Sequence, residues 1–202
     1  MMSALLLLAG VVHASDSRLD FEVLLDAKPV GTHRFDIQRA ADGTQQVRSV
    51  AAFDVKFLGL VVYRYRHQAS ERWGQGCLAK LDASTDDNGK LLQVNHVARE
   101  GCVSSYAYWD RDLLLRQRQL LNPQTGRIDA VKFEPLGEDR IEIGGMSVIA
   151  DRYRLRSDKL AIDLWYSKAG EWLQLLSTTD SKRQLRYRLT SWQCGIAGKC
   201  LY

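Results

Sequence analysis

With 202 residues, 46% of them hydrophobic and 26% charged, the chain is long enough to enclose a sizeable core and too apolar to be disordered. Its 28 Lys and Arg against 24 Asp and Glu leave a net charge of +4. That excess is too small to mark a nucleic-acid surface, and no reading element accompanies it, so no nucleic-acid partner is expected.

Residues 1–14, MMSALLLLAGVVHA, read as a signal peptide. The apolar run Ala4–Val12 is too short to span a bilayer. Val12-His13-Ala14 places small residues at the −3 and −1 positions of a cleavage site, although no Lys or Arg precedes the run. The expectation is a soluble exported chain, periplasmic or secreted, with residues 15–202 forming one β-rich domain.

From there, short segments of alternating polarity follow one another between turns. Leu19–Asp26 and Val30–Gln38 flank Ala27-Lys28-Pro29, and Gln45–Phe57 follows Asp42-Gly43. Phe57-Leu58-Gly59-Leu60 bends the chain into Val61–Trp73, and Gly74-Gln75-Gly76 turns it into Cys77–Thr85. Asp87-Asn88-Gly89 is a tight-turn signal, because Asn and Gly accept positive φ at low cost. Leu91–Arg99 and Cys102–Tyr108 continue the series. Asp110–Leu121 is predicted as a helix: Asp110 can cap it, and Leu113, Leu114, Leu120 and Leu121 form an apolar stripe. A strand over Leu113–Leu121 is the alternative. Asn122-Pro123-Gln124-Thr125-Gly126 ends the segment. Strands are then expected near Ile128–Phe133, Arg140–Ile143, Ser147–Ser157, Ala161–Ser167, Trp172–Thr179 and Gln184–Gln193. Many short strands without βαβ alternation predict a mainly β fold, a curled antiparallel sheet (half-barrel or open barrel) with about one covering helix.

Four cysteines permit three connectivities. Cys77–Cys102 and Cys194–Cys200 are the expected pairs, since each brackets a local loop. The first would contribute about 3 kcal/mol by restricting the unfolded chain. Zinc-finger spacing and the C-x-x-C redox motif are both lacking.

The strand Val61–Trp73 carries the candidate site. Tyr63, Tyr65, His67, Glu71 and Trp73 share one face, while Arg64, Arg66 and Arg72 share the other. A histidine and a carboxylate among aromatics are suited to handling protons. Four residues of strand, about 13 Å, keep His67 and Glu71 from touching. The same inward apolar pattern recurs in Phe21, Val23 and Leu25, in Phe35 and Ile37, and in Ile162, Leu164 and Tyr166. These faces either pack solid or enclose a cavity suited to acyl chains. There is no G-x-S-x-G elbow, P-loop or dinucleotide fingerprint, and the histidines are scattered. Hence no catalytic residue, metal ligand or cofactor is nominated.

The stretches Gly31-Thr32-His33-Arg34-Phe35, Tyr63-Arg64-Tyr65-Arg66-His67, Glu71-Arg72-Trp73, Asp87-Asn88-Gly89, Tyr108-Trp109-Asp110, Asn122-Pro123-Gln124-Thr125-Gly126 and Leu164-Trp165-Tyr166 carry a family resemblance. Together they resemble an uncharacterised family of exported proteobacterial proteins with a domain of unknown function, over nearly all of the mature chain. At the level of fold the chain also resembles periplasmic half-barrel carriers of lipids and lipoproteins. That likeness implies a lipid-linked role by analogy, and it transfers no binding residue. Those carriers have more than one covering helix, where one is expected here.

The leading expectation is binding of a lipid or other hydrophobic ligand in the cell envelope, with the outer arginines touching anionic head groups. An envelope enzyme acting on a lipid or glycan, with His67 and Glu71 near its site, is the first alternative. A structural or assembly partner in the envelope is the second.

Overall fold

The computed structural model describes residues 15–99, 101–179, 181–194 and 198–199. The expected signal peptide, and Cys200 of the expected Cys194–Cys200 pair, lie outside these residues.

Two-residue turns dictate the topology. Asp26-Ala27, Leu58-Gly59, Gln75-Gly76, Asn88-Gly89 and Gly144-Gly145 hold both residues at positive φ, a geometry whose twist matches that of paired strands. The first four of these turns, together with the five-residue loop 40–44 between β2 and β3, link β1 (Ser15–Leu25), β2 (Lys28–Arg39), β3 (Gln45–Phe57), β4 (Leu60–Gly74), β5 (Cys77–Asp87) and β6 (Lys90–Val97) into a meander. A second meander runs through β10 (Lys132–Ile143), β11 (Met146–Arg156), β12 (Ala161–Tyr166), β13 (Trp172–Thr178) and β14 (Gln184–Cys194). Strand β14 pairs with β1, joining the two into one antiparallel sheet that runs from β10 through β14 and β1 to β6. A two-residue strand, β15 (Gly198–Lys199), adds to β14.

This large sheet curls without closing. Val94 of edge strand β6 and Phe133 and Ile141 of edge strand β10 belong to the same core cluster. The connection between the meanders lies over the open side, with β7 (Ser104–Ser105), α1 (Arg111–Arg116), β8 (Gln119–Leu121) and β9 (Ile128–Ala130). It contributes Ala107, Trp109, Leu113, Leu114, Leu120 and Leu121 to that core. The mainly β, curled antiparallel architecture with one covering helix is thus as the sequence predicts.

Several boundaries differ from expectation. The helix ends at Arg116, and Gln117 is already extended. Leu120 and Leu121 are buried from strand β8, which pairs with β7 and β9. All four leucines of the stripe are buried, so the apolar pattern was correct. Sheet pairing then supplied the hydrogen bonds that a longer helix would have made. Asp110 does cap the helix, accepting from the Leu113 N–H at 3.0 Å. Of the Cys102–Tyr108 segment only Ser104–Ser105 is strand. The strand expected from Arg140 begins at Lys132 and runs through Pro135, which an edge strand with a register shift tolerates. The first turn falls on Asp26-Ala27, leaving Lys28 and Pro29 inside β2.

The outer face is charged, and many of its charges are matched. Arg18 pairs with Asp36 at 2.6 Å, Arg34 with Asp20 at 2.6 Å and Arg66 with Asp54 at 2.9 Å, each across neighbouring strands. Arg152 and Arg154 converge on Asp163, and Arg188 pairs with Glu22. The arginines thus lace the wall together, which makes it a weaker anionic-membrane surface than the sequence suggested.

Candidate functional site

Strand parity sends Tyr65, His67, Ala69, Glu71 and Trp73 into the curl, yet the inner space is filled at one end only. Around Trp73 the packing is tight: its ring lies 5.6 Å from that of Trp109, nearly perpendicular, and Phe21 lies 4.1 Å from Trp172. Toward the turns Asp26-Ala27, Leu58-Gly59 and Asn88-Gly89 the interior opens into a cavity of about 810 Å³. Leu25, Val30, Phe53, Val55, Leu160 and Leu185 make much of its apolar wall, and Tyr65, Tyr106, Tyr108 and Tyr187 add aromatic edges. Asn122, Pro123 and Gln124, from the connection between the meanders, border it, and Gln124 accepts from the Tyr65 hydroxyl at 3.3 Å. Asp87, Thr179, Ser181 and Arg183 lie at the mouth.

The nominated residues form a file from mouth to floor. Tyr63 stands at the rim, its hydroxyl donating to Asp87 at 2.6 Å. Tyr65 follows, stacked 5.2 Å from Phe53. His67 is buried, and its Nδ1 shares a 2.8 Å hydrogen bond with the Thr85 hydroxyl. Desolvation lowers its pKa to about 4, so it is neutral at pH 7. Glu71 lies at the floor. Burial raises its pKa, while hydrogen bonds from Ser105 (2.8 Å) and the Trp73 indole (2.9 Å) oppose that rise. Trp73 does not line the cavity; it belongs to the packed base beneath Glu71.

His67 and Glu71 therefore border one cavity without touching. Each is held by its own partners, and both Glu71 oxygens accept from neighbouring donors. The arrangement lacks the histidine–acid contact that a general-base pair needs. Among the described residues, no three His, Cys, Asp or Glu side chains are grouped as metal ligands would be.

The cavity also uses residues that were not nominated from the sequence. His33 borders it from β2, beside Phe35 and Tyr187, and both its ring nitrogens are buried without a hydrogen-bond partner. Burial lowers its pKa to about 3. Tyr187 was visible in the Leu185-Tyr187-Leu189 alternation, but its place opposite Tyr65 depends on β14 pairing with β1. Tyr106, Tyr108 and Gln124 come from irregular chain, for which strand parity gives no signal.

Residues 21–190 match the model of the family DUF6134, a domain of unknown function. The chain belongs to this family. No curated protein matches the sequence. Among solved structures, the chain is similar to a beta-barrel-like protein of the domain of unknown function DUF1849 from Brucella abortus. The identity is 10% and the TM-score 0.56, over 90% of this chain and 98% of that one. This likeness is one of fold. Looser similarity extends to MucB, at 12% identity and a TM-score of 0.40, over 94% of this chain and 57% of that one. It also extends to LprF from Mycobacterium bovis, at 13% identity and a TM-score of 0.32, over 94% of this chain and 89% of that one.

Proposed function

We propose that the protein binds a lipid or other hydrophobic ligand of the cell envelope inside the curled sheet. The observation that carries this reading is the cavity of about 810 Å³ in an otherwise aromatic and aliphatic interior. That volume is in the range of small-molecule sites, which are concave, mostly apolar and furnished with few polar groups. His33 and His67 are neutral at physiological pH, so the walls favour an uncharged chain over an ionic group. Thr179, Ser181 and Arg183 at the mouth suit a polar head. In this reading the ligand enters tail first, with its head left beside the turns.

Export to an oxidising compartment, the periplasm or the exterior, fits the Cys77–Cys102 disulfide. We assign no reaction to the cavity, because His67 and Glu71 do not touch and both Glu71 oxygens already accept from neighbouring donors.

The test is lipid extraction from protein purified out of its native compartment, followed by displacement of a fluorescent fatty acid. A bound amphiphile in the extract and saturable displacement are expected. Protein that carries no lipid and takes up no acyl probe would overturn the reading.

A further inference from the structure

One hairpin does not obey the economy of the rest. On its outer edges, β3 last pairs with β2 at Phe53, and β4 last pairs with β5 at Tyr65. The Arg64 carbonyl still accepts from the Asn88 N–H at 2.8 Å, but residues 55–62 have no ladder partner outside the hairpin and project roughly 13 Å past the rim. A two-stranded ribbon alone in water is marginal. Here its root is tied by Asp54 to Arg64 and Arg66 and by the Tyr63–Asp87 bond. Beyond that root the sequence is Val55-Lys56-Phe57-Leu58-Gly59-Leu60-Val61-Val62, with Lys56 its only charge.

The tip residue is the most informative. Leu58 occupies a left-handed position, φ 49°, and is 87% exposed. The neighbouring β5–β6 turn has the same geometry with Asn88, φ 53°, in the equivalent place. Asparagine suits that position and that exposure, and leucine suits neither. Folding and solubility thus both disfavour Leu58. Local strain combined with exposed apolar surface points to a contact made by the tip itself. Phe57 and Leu60 flank it, and Leu91, 76% exposed, faces the same end from the start of β6.

The charges around the tip indicate the partner. Lys28, Lys56, Lys90, Lys159 and Lys182 all lie at or beside turns of this end, and none is ion-paired with another described residue. Lys80, Lys132 and Lys168, in contrast, are paired. Of the acids here, Asp26 is paired with Arg183, while Asp86 and Asp87 accept only from the neutral Gly89 N–H and Tyr63 hydroxyl and, with Asp158, keep their charge, so the five lysines outnumber these three carboxylates. A protein interface needs about 800 Å² on each partner, a broad patch rather than a narrow apolar finger. A finger ringed by lysines matches an anionic bilayer surface, where apolar side chains enter the head-group boundary and cations remain outside.

We infer that the β3–β4 hairpin tip inserts into an anionic phospholipid surface and sets the cavity mouth against the membrane. Val55, Val62 and Tyr63 belong to both hairpin and cavity wall, giving an apolar path from bilayer to interior. The path rests on the ligand reading above; the insertion does not.

The experiment is co-sedimentation with phosphatidylethanolamine/phosphatidylglycerol vesicles and with phosphatidylcholine vesicles, for the parent protein and for Leu58→Asn. The parent should partition onto the anionic vesicles. Leu58→Asn should weaken this about tenfold, the scale of one buried leucine, while thermal stability holds or rises. Fatty-acid displacement in solution should be the same for both proteins. Equal partitioning of parent and variant, or no preference for anionic vesicles, would overturn the inference. So would a parent that ignores vesicles but forms a dimer that Leu58→Asn dissolves. If displacement is normal and vesicle binding absent, insertion fails while the ligand reading stands; the opposite pair of results supports insertion and removes the ligand.

Discussion

The two ends of the interior are built from the same strands with the same inward alternation, yet one is solid and the other hollow. At the base, Trp73, Trp109, Trp172 and Phe21 interlock, and the disulfide between Cys77 and Cys102 pins the covering segment to β5. At the mouth, Tyr65, Tyr187 and His33 face space and keep part of their surface accessible. An apolar inward face is therefore no proof of a filled core. What decides is whether a covering element reaches that level of the curl, and here α1 and its flanks favour the base.

The sharpest way to break this contrast is at the base. Trp172→Ala should cost about 3–5 kcal/mol, measured by denaturant unfolding, because close packing leaves a hole that cannot collapse. Next, Cys77→Ser with Cys102→Ser should lose about 3 kcal/mol, and limited proteolysis should then cut first in the covering segment. A smaller effect separates the ends directly. Ala150→Phe in the packed part should cost about 1–3 kcal/mol, whereas Ala69→Phe, beside the cavity, should cost less than about 1 kcal/mol and block fatty-acid uptake. Equal costs would mean that the cavity is not real space.

The most gradual effect, spread over several pH units, is on pH dependence. His67, at about 4, and His33, at about 3, both lie below the ordinary 6.5 because burial disfavours their charge. Below pH 6.5 the unfolded chain binds protons that the folded one refuses. Stability is thus complete above pH 6.5 and falls toward pH 4, by at most about 1.4 kcal/mol per pH unit per histidine. Glu71, raised by burial, works in the opposite sense at the acid end, since the folded chain takes its proton first. His67→Gln should make the fall in melting temperature between pH 6.5 and 4.5 shallower. A parent melting temperature that stays flat over that range would contradict the burial of both imidazoles.

Much of this was legible along the chain because strands alternate with period two. Tyr65, His67 and Glu71 were placed on one inward face by parity alone, and Asn88-Gly89 announced its turn by residue type. Leu120 and Leu121 were misplaced for a physical reason: at helical spacing from Leu113 and Leu114 they fit either element, and only the partners β7 and β9 select the strand. Trp73 shares the parity of His67 but not its cavity, because parity fixes the face and not the depth.

Sequence by itself determined the period, the turns, the inward set and the outward arginines, since each follows from a residue and its near neighbours. The tertiary structure alone decided that β14 returns to β1, setting Tyr187 across the cavity from Tyr65, and that several outer arginines find carboxylates on adjacent strands. It also decided that β3 and β4 outrun their neighbours, which leaves Leu58 in water. The first of these depends on a pairing between residues far apart in the chain, and the others on register and strand length across neighbouring hairpins, which no single residue's preference encodes.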